Sequence, residues 1–461
     1  RDRSPSRGLG DVYKRQVIII ENSSSVPAIP SANAIQASLP DATIIPLRRF
    51  SFFSNNIDSI ILVILFFTMG ITYVIVYNIK IKNIEEQAYA LGFDGFGITS
   101  SELGEAGYKL SQWLEMGYAG EMAYMARGEE KRRDPNLVLE NIKSIICLRT
   151  NYLTQNKGME FLSFPENGDV SLYALNKDYH DIITPRLKEL EKIIQKEFKG
   201  CKTKIYVDTG PILEKPLAER AGLGWIGKHT NLLSEDIGSW YFLSEILVDV
   251  ALPESEIADN HCGTCRSCID ICPTNAIVAP YVLDAKKCIS YLTIELKGVI
   301  PVEFRKAIGN RIYGCDDCQI VCPWNSYAVK TDEPDFKAMN SNFLLIDLIQ
   351  LSDEDFRKRF KGSPIKRIKR RGLLRNVAIA LGNSKNPKAV PFLIKALNDK
   401  EPLIRAHTVW ALGELLLSES VPLLNEKLAE EEDPMVLGEI EAVRELSLIH
   451  ISEPTRRTPI S

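Results

Sequence analysis

Eight of the ten cysteines in this 461-residue chain lie between Cys262 and Cys322, and their spacing is the first chemistry the sequence offers. Four fall within HCGTCRSCIDICP, at Cys262, Cys265, Cys268 and Cys272; Cys288 stands alone, and Cys315, Cys318 and Cys322 sit in GCDDCQIVCPWN. Thiols this dense can pair as disulfides, hold zinc, or seat an electron carrier. Disulfides would need an oxidising compartment and awkward short-range pairings, and a zinc site needs only four ligands, usually as two CxxC pairs. Only Cys147 and Cys201 lie outside the segment, so the pattern describes a local site and not a framework stapling the whole chain.

The run C-x2-C-x2-C-x3-C-P has the spacing of bacterial ferredoxins, in which three close thiolates wrap one cubane and the fourth ligates another. The economical assignment is one 4Fe-4S cluster on Cys262, Cys265, Cys268 and Cys322, and a second on Cys272, Cys288, Cys315 and Cys318. Two such clusters make a short wire for single electrons. A ferredoxin alone needs little more than this segment, so the long sequence before it implies that the electrons are used within the same chain.

The elements that hold these residues follow from periodicity. With 45% hydrophobic and 25% charged residues the composition is that of a globular protein of two or three domains, and a formal charge of -4 excludes a uniformly basic nucleic-acid coat while leaving room for a basic face. The pattern predicts a helix ending at Gly92, a strand over Gly95–Thr99, a helix over Tyr108–Met125, a buried strand over Ile142–Leu148, a helix over 181–198 and a strand over 204–207. Residues 78–258 are therefore expected to form a mixed α/β (α+β) catalytic domain, and 259–330 a ferredoxin-like two-cluster domain. Beyond Pro364, Val377–Leu397 is echoed by Thr408–Leu428, with Ala380, Leu381, Gly382, Val390 and Pro391 recurring thirty-one positions later. That predicts a C-terminal α-helical HEAT-like repeat domain over 364–446, with a third repeat from about Pro434.

The ends read differently. Arg1–Gln16 and Ser447–Ser461 follow no period and resemble translated adapter sequence, so residues 1–77 and 447–461 are read as non-native extensions. The apolar run Ser59–Tyr77 is long enough to span a bilayer. RRFSFF at Arg48–Phe53 falls short of a twin-arginine export signal, and no small-residue cleavage site follows. We read residues 17 to about 75 as read-through and expect no membrane attachment.

Gly222, Gly224 and Gly227 formally satisfy GxGxxG, but they follow the helical ILEKPLAERA and run into KHTNLL, which is not the strand-to-helix setting of a dinucleotide site. They either let backbone approach another large planar ligand or form a tight turn. Asp208, before Thr-Gly-Pro, is either a turn cap or, if burial raises its pKa, a proton donor. Pro364–Asn376 carries Lys366, Arg367, Lys369, Arg370, Arg371 and Arg375 without an acidic residue. It is either a solvated helix face or a phosphate-binding strip.

VDTGPILEKPLAERAGLGWIGKHTNLL, GSWYFLSEIL, HCGTCRSCIDICPTNAI, CISYLTIELKG, YGCDDCQIVCPWN and the repeat tail, in that order, resemble the epoxyqueuosine reductases of queuosine-tRNA synthesis over roughly residues 80 to 446. The resemblance implies a cytoplasmic, monomeric, cobalamin-dependent iron-sulfur enzyme. Such an enzyme reduces the epoxide of epoxyqueuosine at the tRNA wobble position, drawing on a low-potential electron donor. It implies Asp208 as proton donor. It places cobalamin contacts at His229, Thr230 and Asn231, at Trp240 and Tyr241, at Ser290 and Lys297, and at Gly314, Cys315, Asp316 and Asp317, with Tyr179 and His180 near the site. His229 is read as a hydrogen-bonding or packing residue, because members bind cobalamin base-off without a histidine below cobalt. In a tRNA-modifying enzyme the basic run becomes a strip for the anticodon stem, with Lys215 near the entrance. Two other readings fit parts of the sequence: a respiratory reductive dehalogenase, and a membrane-tethered ferredoxin-like electron carrier.

Overall fold

The computed structural model describes residues 77–339 and 342–452, so the apolar run from Ser59 lies outside the described residues except at Tyr77. Among the described residues no helix is long and apolar enough to cross a membrane. The first helix, α1 (77–90), ends where Gly92 adopts φ +87, a left-handed conformation that suits glycine at a helix C-terminus.

Four strands form the central sheet: β1 (Gly95–Thr99), β2 (Ser144–Asn151), β3 (Thr203–Tyr206) and β4 (Tyr241–Val248). Their order is β1-β2-β4-β3 and every pairing is antiparallel, which places this part of the fold on the α+β side of the expected class. β2 is buried along its whole length, and this explains why SIICLRTN reads as a continuous run and not as an alternation. The helix expected over Tyr108–Met125 is instead two, α2 (Ala106–Glu115) and α3 (Ala123–Arg127). Gly117 and Gly120 between them take φ of +66 and +56 and turn the chain.

Two further helices cover the sheet. α4 (Tyr179–Glu197) packs on β3 and β4, and α5 (Glu214–Arg220) packs on β1, β2 and β4. Gly97 makes the second contact possible, because a Cβ there would stand 2.0 Å from the Ala221 carbonyl oxygen. The cysteine segment that follows consists of short helical turns, among them Ser267–Asp270 and Asp317–Ile320, which touch each other.

The repeat region is built on α6 (Lys369–Ser384), α7 (Pro402–Leu416) and α8 (Pro434–Ser452), with α6 packed on α7 and α7 on α8. The recurring Ala-Leu-Gly has a steric cause. A Cβ on Gly382 would lie 2.8 Å from the Trp410 ring and 3.0 Å from Ala411 Cα, and one on Gly413 would lie 2.7 Å from Val443. Buried apolar residues from Ile84 to Val443 form one continuous core, so the three segments are packed together. Polar clamps reinforce the junction. Asn376 Nδ2 donates to the Thr293 and Ile312 carbonyls at 2.8 Å each, and Asn383 Nδ2 donates to those of Arg305 and Gly309 at 2.8 and 2.9 Å.

Candidate functional site

The fold brings Cys322 back to the first cysteine run. Cys262, Cys265, Cys268 and Cys322 line one cavity of about 360 Å³ together with Lys228, His261 and Trp324. Burial, and then the neighbouring Cys322, Cys262 and Cys265, push the Cys268 thiol up to about 12, and burial likewise pushes Cys322 up to about 11. Four cysteines this close can all be thiolates only with a metal cation among them, which the iron of a cluster would supply. Lys228 Nζ pins the loop by donating to the Gly263 and Cys265 carbonyls at 2.6 and 2.8 Å, while Trp225 and Trp324, with ring centroids 5.0 Å apart, wall one side. Cys265 is exposed, whereas Cys288, Cys315 and Cys318 are buried, so the first set faces solvent and the second faces inward. Cys272 is half-buried, with its sulfur accepting from Ala276 N at 3.2 Å.

The glycine stretch forms a turn. After α5 the chain passes Gly222 and Gly224, at φ +75 and +143, into a hairpin of Trp225–Ile226 against Leu232–Leu233. A Cβ on Gly224 would sit 1.9 Å from the Leu233 carbonyl oxygen. The hairpin tip carries His229, Thr230 and Asn231, all buried. His229 Nδ1 accepts from Asn231 N at 3.1 Å, in keeping with a hydrogen-bonding role.

Asp208 follows β3 and is buried, with φ +59, an unfavourable backbone for a residue other than glycine. Its Oδ2 accepts from Tyr179 OH, at the start of α4, while its Oδ1 has no hydrogen-bond partner among the described residues. Tyr179 is held by stacking on Phe242, with ring centroids 4.2 Å apart, and burial followed by the Asp208 charge pushes its phenol well above the usual range. His180 Nε2 lies 3.9 Å from Asp208 Oδ2, and its Nδ1 is 2.7 Å from Asp178 Oδ1. Behind Asp208 stand two more carboxyl groups. Glu214 Oε1, on α5, accepts from Asp208 N at 2.7 Å, and Glu245, on β4, is fully buried beside Glu214.

Two cavities meet at Tyr179 and its neighbours. A water-sized one of about 30 Å³ is lined by Asp208, Glu214, Lys215, Asn231 and Tyr241, among others. A larger one of about 470 Å³ runs between Asp178–Asp181 and the 361–367 segment, and includes Tyr173, Tyr313, Lys361, Lys366 and Arg367.

The basic strip does not act as one surface. Lys366, Lys369 and Arg371 are exposed. Arg370 is tied to Asp399, Arg367 to Glu295 at 2.5 Å, and Arg375 is buried with its guanidinium on the carbonyls of Leu292, Leu296 and Gly298 at 2.7 to 2.8 Å. Arg375 thus clamps the repeats to the cluster segment and is corrected from the phosphate-binding set, as is Arg370. Lys215 is also corrected: it is buried on the floor of the Asp208 cavity, its Nζ donating to Thr230 O at 2.6 Å. A helix N-terminal residue in an apolar setting points inward, which a linear reading of charge does not show.

The expected cobalamin contacts separate in the same way. Thr230 Oγ1, Asn231 Nδ2, Tyr241 OH and Ser290 Oγ are buried without a hydrogen-bond partner among the described residues, as are Asp208 Oδ1 and His180 Nε2. Orphaned polar atoms contributed by five separate stretches of chain fit a large polar-rimmed ligand. Ser290 opens a five-residue π-helical turn, Tyr291–Glu295, a form common at functional sites. Gly314 N donates to Thr293 Oγ1 at 3.0 Å, which seats the Cys315 loop against that turn. Trp240 packs edge-on against Tyr152, and Lys297 is exposed with its Nζ on Ile294 O at 2.9 Å. Asp316 and Asp317 are used internally: Asp316 pairs with Lys157 at 3.0 Å, and Asp317 makes a bidentate pair with Arg311. Their carboxylates anchor the second cysteine loop.

A buried acid that shares a cavity with Gln319 of the second cysteine loop, and a repeat arm clamped by Arg375 and Asn376 to the segment between the cysteine sets, describe an iron-sulfur oxidoreductase. The family models agree: a 4Fe-4S double cluster binding domain matches residues 261–325, HEAT repeats match 371–444, and "Epoxyqueuosine reductase QueG, DUF1730" matches 132–209. The chain belongs to the epoxyqueuosine reductase family. It is 46% identical over 337 residues to the epoxyqueuosine reductase of Salmonella typhimurium, covering 72% of this chain and 88% of that one. With the Pseudomonas aeruginosa enzyme it shares 47% over 339 residues, covering 72% and 93%. A crystal structure of epoxyqueuosine reductase with an epoxyqueuosine-modified tRNA-Tyr stem loop superposes with a TM-score of 0.74 at 31% identity, covering 81% of this chain and all of that one. A Bacillus subtilis structure whose catalytic aspartate loop is swung out of the active site superposes at 0.73 with 30% identity, covering 80% and 99%. These relationships support a reductase over a dehalogenase or a simple electron carrier.

Proposed function

We propose that this protein reduces the epoxide of epoxyqueuosine in the tRNA anticodon to the alkene of queuosine, using cobalamin and two 4Fe-4S clusters. The observation that carries the reading is the buried Asp208 carboxyl, held by Tyr179 at one oxygen and without a partner among the described residues at the other, in a cavity it shares with Asn231, Tyr241 and Gln319 of the second cysteine loop. The names of the relatives and the stem-loop complex of one of them supply the substrate.

Converting an epoxide to an alkene consumes two electrons and two protons and releases the oxygen as water. Cobalamin, when bound against Thr230, Asn231, Tyr241 and Ser290, would supply a low-potential centre able to attack or reduce the strained ring. The protein groups handle the protons. Asp208 donates to the departing oxygen, Tyr179 fixes the carboxyl's orientation, and His180, oriented by Asp178, is placed to return a proton to Asp208 from the larger cavity. That cavity would take the splayed wobble base, with Lys361 and Lys366 at its rim for phosphate. The cysteines would hold the two clusters, which would supply single electrons, and the exposed Cys265 end is the side that a low-potential one-electron donor would reach. The substrate implies a cytoplasmic enzyme, and we infer a monomer.

The test is anaerobic reconstitution with iron, sulfide and cobalamin, followed by mass spectrometry of an epoxyqueuosine stem loop. Queuosine should form with the wild type and fall by about 10²-fold or more in Asp208→Asn, the usual scale for a general acid. Full turnover by the variant would remove Asp208 from the mechanism, and no queuosine from the loaded wild type would remove the function.

A further inference from the structure

Glu245 is a charged residue in the middle of an otherwise apolar buried strand, YFLSEILV, and the proton chemistry above does not use it. It sits opposite Cys147 on β2 and Tyr206 on β3, on the side of the sheet where Asp208 follows two residues after Tyr206. Neither of its carboxyl oxygens meets a donor among the described residues, and its side-chain contact is with the Glu214 carboxyl. Its neighbour Glu214 uses Oε1 to accept from the Asp208 backbone N–H at 2.7 Å. Two carboxylates in contact in a dry interior cannot both be ionised. The arrangement that leaves no oxygen stranded has Glu245 as a neutral acid donating to Glu214 and Glu214 gripping the Asp208 N–H.

That grip acts where the backbone most needs it. Asp208 is held at φ +59, a conformation that costs about 1–2 kcal/mol for a residue with a Cβ, so the loop requires an external constraint to stay in place. In the Bacillus subtilis relative a catalytic aspartate loop is swung out of the active site.

We propose that Glu245 and Glu214 form a one-proton carboxyl latch, and that this latch seats the Asp208 loop through the Asp208 N–H. Glu245 is a positioning residue, acting on the reaction only through Glu214 and the loop. The direction of its titration agrees: burial first, then Glu214, then Asp208, raise the Glu245 carboxyl well above the usual range. The titratable groups that face it are Glu214 from α5, Asp208 from the loop, and Cys147 and Tyr206 as its cross-strand partners; Tyr179 from α4 reaches it through Asp208, and Lys215 lies next to Glu214 on α5. No lysine or arginine contributes to the shift. Loss of the shared proton leaves two repelling carboxylates, and the loop is freed as pH rises.

The inference rests on the proposed function, so its test carries a readout independent of turnover. In cluster- and cobalamin-loaded protein without RNA, amide hydrogen exchange of residues 207–213 is followed across pH, corrected for the intrinsic rate, for wild type, Glu245→Gln and Glu245→Leu. Wild-type exchange should rise with pH, Glu245→Gln should lack that rise because an amide donates at every pH, and Glu245→Leu should exchange about tenfold faster throughout. With the modified stem loop, kcat should fall more steeply on the alkaline side in wild type than in Glu245→Gln, where only the limb due to Asp208 as general acid remains. A Glu245→Gln protein that keeps the wild-type pH dependence of loop exchange overturns the latch, as does a Glu245→Leu protein with wild-type exchange. Should Glu245→Leu not fold, Glu245→Gln alone decides. If no protein makes queuosine, the functional reading fails while the exchange data still judge the latch.

Discussion

The basic run Lys366–Arg375 provides a quantitative test of how this surface meets RNA. Six cations were candidates from sequence, but only Lys366, Lys369 and Arg371 are exposed, the others being tied to Glu295, Asp399 and backbone carbonyls. Each phosphate neutralised contributes about 0.7–0.9 to the slope of log affinity against log salt. Replacing the three exposed residues with alanine should therefore reduce the slope by about 2–3, which is all that the run contributes; six engaged cations would contribute about 4–5, and about half of that would survive in the variant. Over a fourfold rise in salt the wild type should then lose about 20–40-fold more affinity than the variant. The assay is fluorescence anisotropy of a labelled anticodon stem loop at several KCl concentrations, with cluster absorbance confirming an intact protein. Arg375→Met is the companion and should leave the slope unchanged. A triple variant that changes the slope by less than about 1, or an Arg375→Met that lowers it equally, would refute the assignment.

Other consequences concern stability. Asn376→Leu strands the Thr293 and Ile312 carbonyls and an Arg375 N–H, and should cost about 3–5 kcal/mol in anaerobic urea unfolding; a loss below about 1 kcal/mol would contradict the clamp. In the repeats, Gly382→Ala should destabilise by about 1–3 kcal/mol because its Cβ meets Trp410, whereas Gly438→Ala, with open space around it, should stabilise by about 0.5–1 kcal/mol. Equal effects from the two would remove the steric explanation of the repeat. His407 is buried and neutral, Nε2 accepting from Ile300 N at 3.1 Å, and burial holds its pKa well below the usual value. Its contribution is full above the unfolded pKa near 6.5, and below that stability should fall by about 1.4 kcal/mol per pH unit. Urea midpoints from pH 7.5 to 5.5 should show this slope in wild type and a shallower one in His407→Gln.

Much of the site was legible because its chemistry is local in the chain. The CxxCxxxCP spacings and the partner Cys322 follow from how thiolates wrap a cubane, and the structure seats Cys322 with Cys262, Cys265 and Cys268 as that spacing requires. The repeat was legible too, since Gly382 and Gly413 mark where successive helices touch. The helix expected over Tyr108–Met125 failed because two left-handed glycines outweigh apolar periodicity, and the antiparallel order of the sheet depends on β4, the last strand in sequence, entering between β2 and β3.

Glu245 was visible as the one charged residue in a buried strand, but nothing in YFLSEILV names Glu214 as its partner. Residue type and spacing pointed to the cysteine sets and the stacked repeats, because each is a recurring pattern along the chain, while Asp208 stood in the sequence as either a turn cap or a proton donor. Which arginines meet solvent, which polar atoms are left open, and what holds the Asp208 loop were decided only by tertiary structure. Burial, and pairing between residues 29 to 83 positions apart, are properties of the packed chain, and one-dimensional pattern carries no information about them.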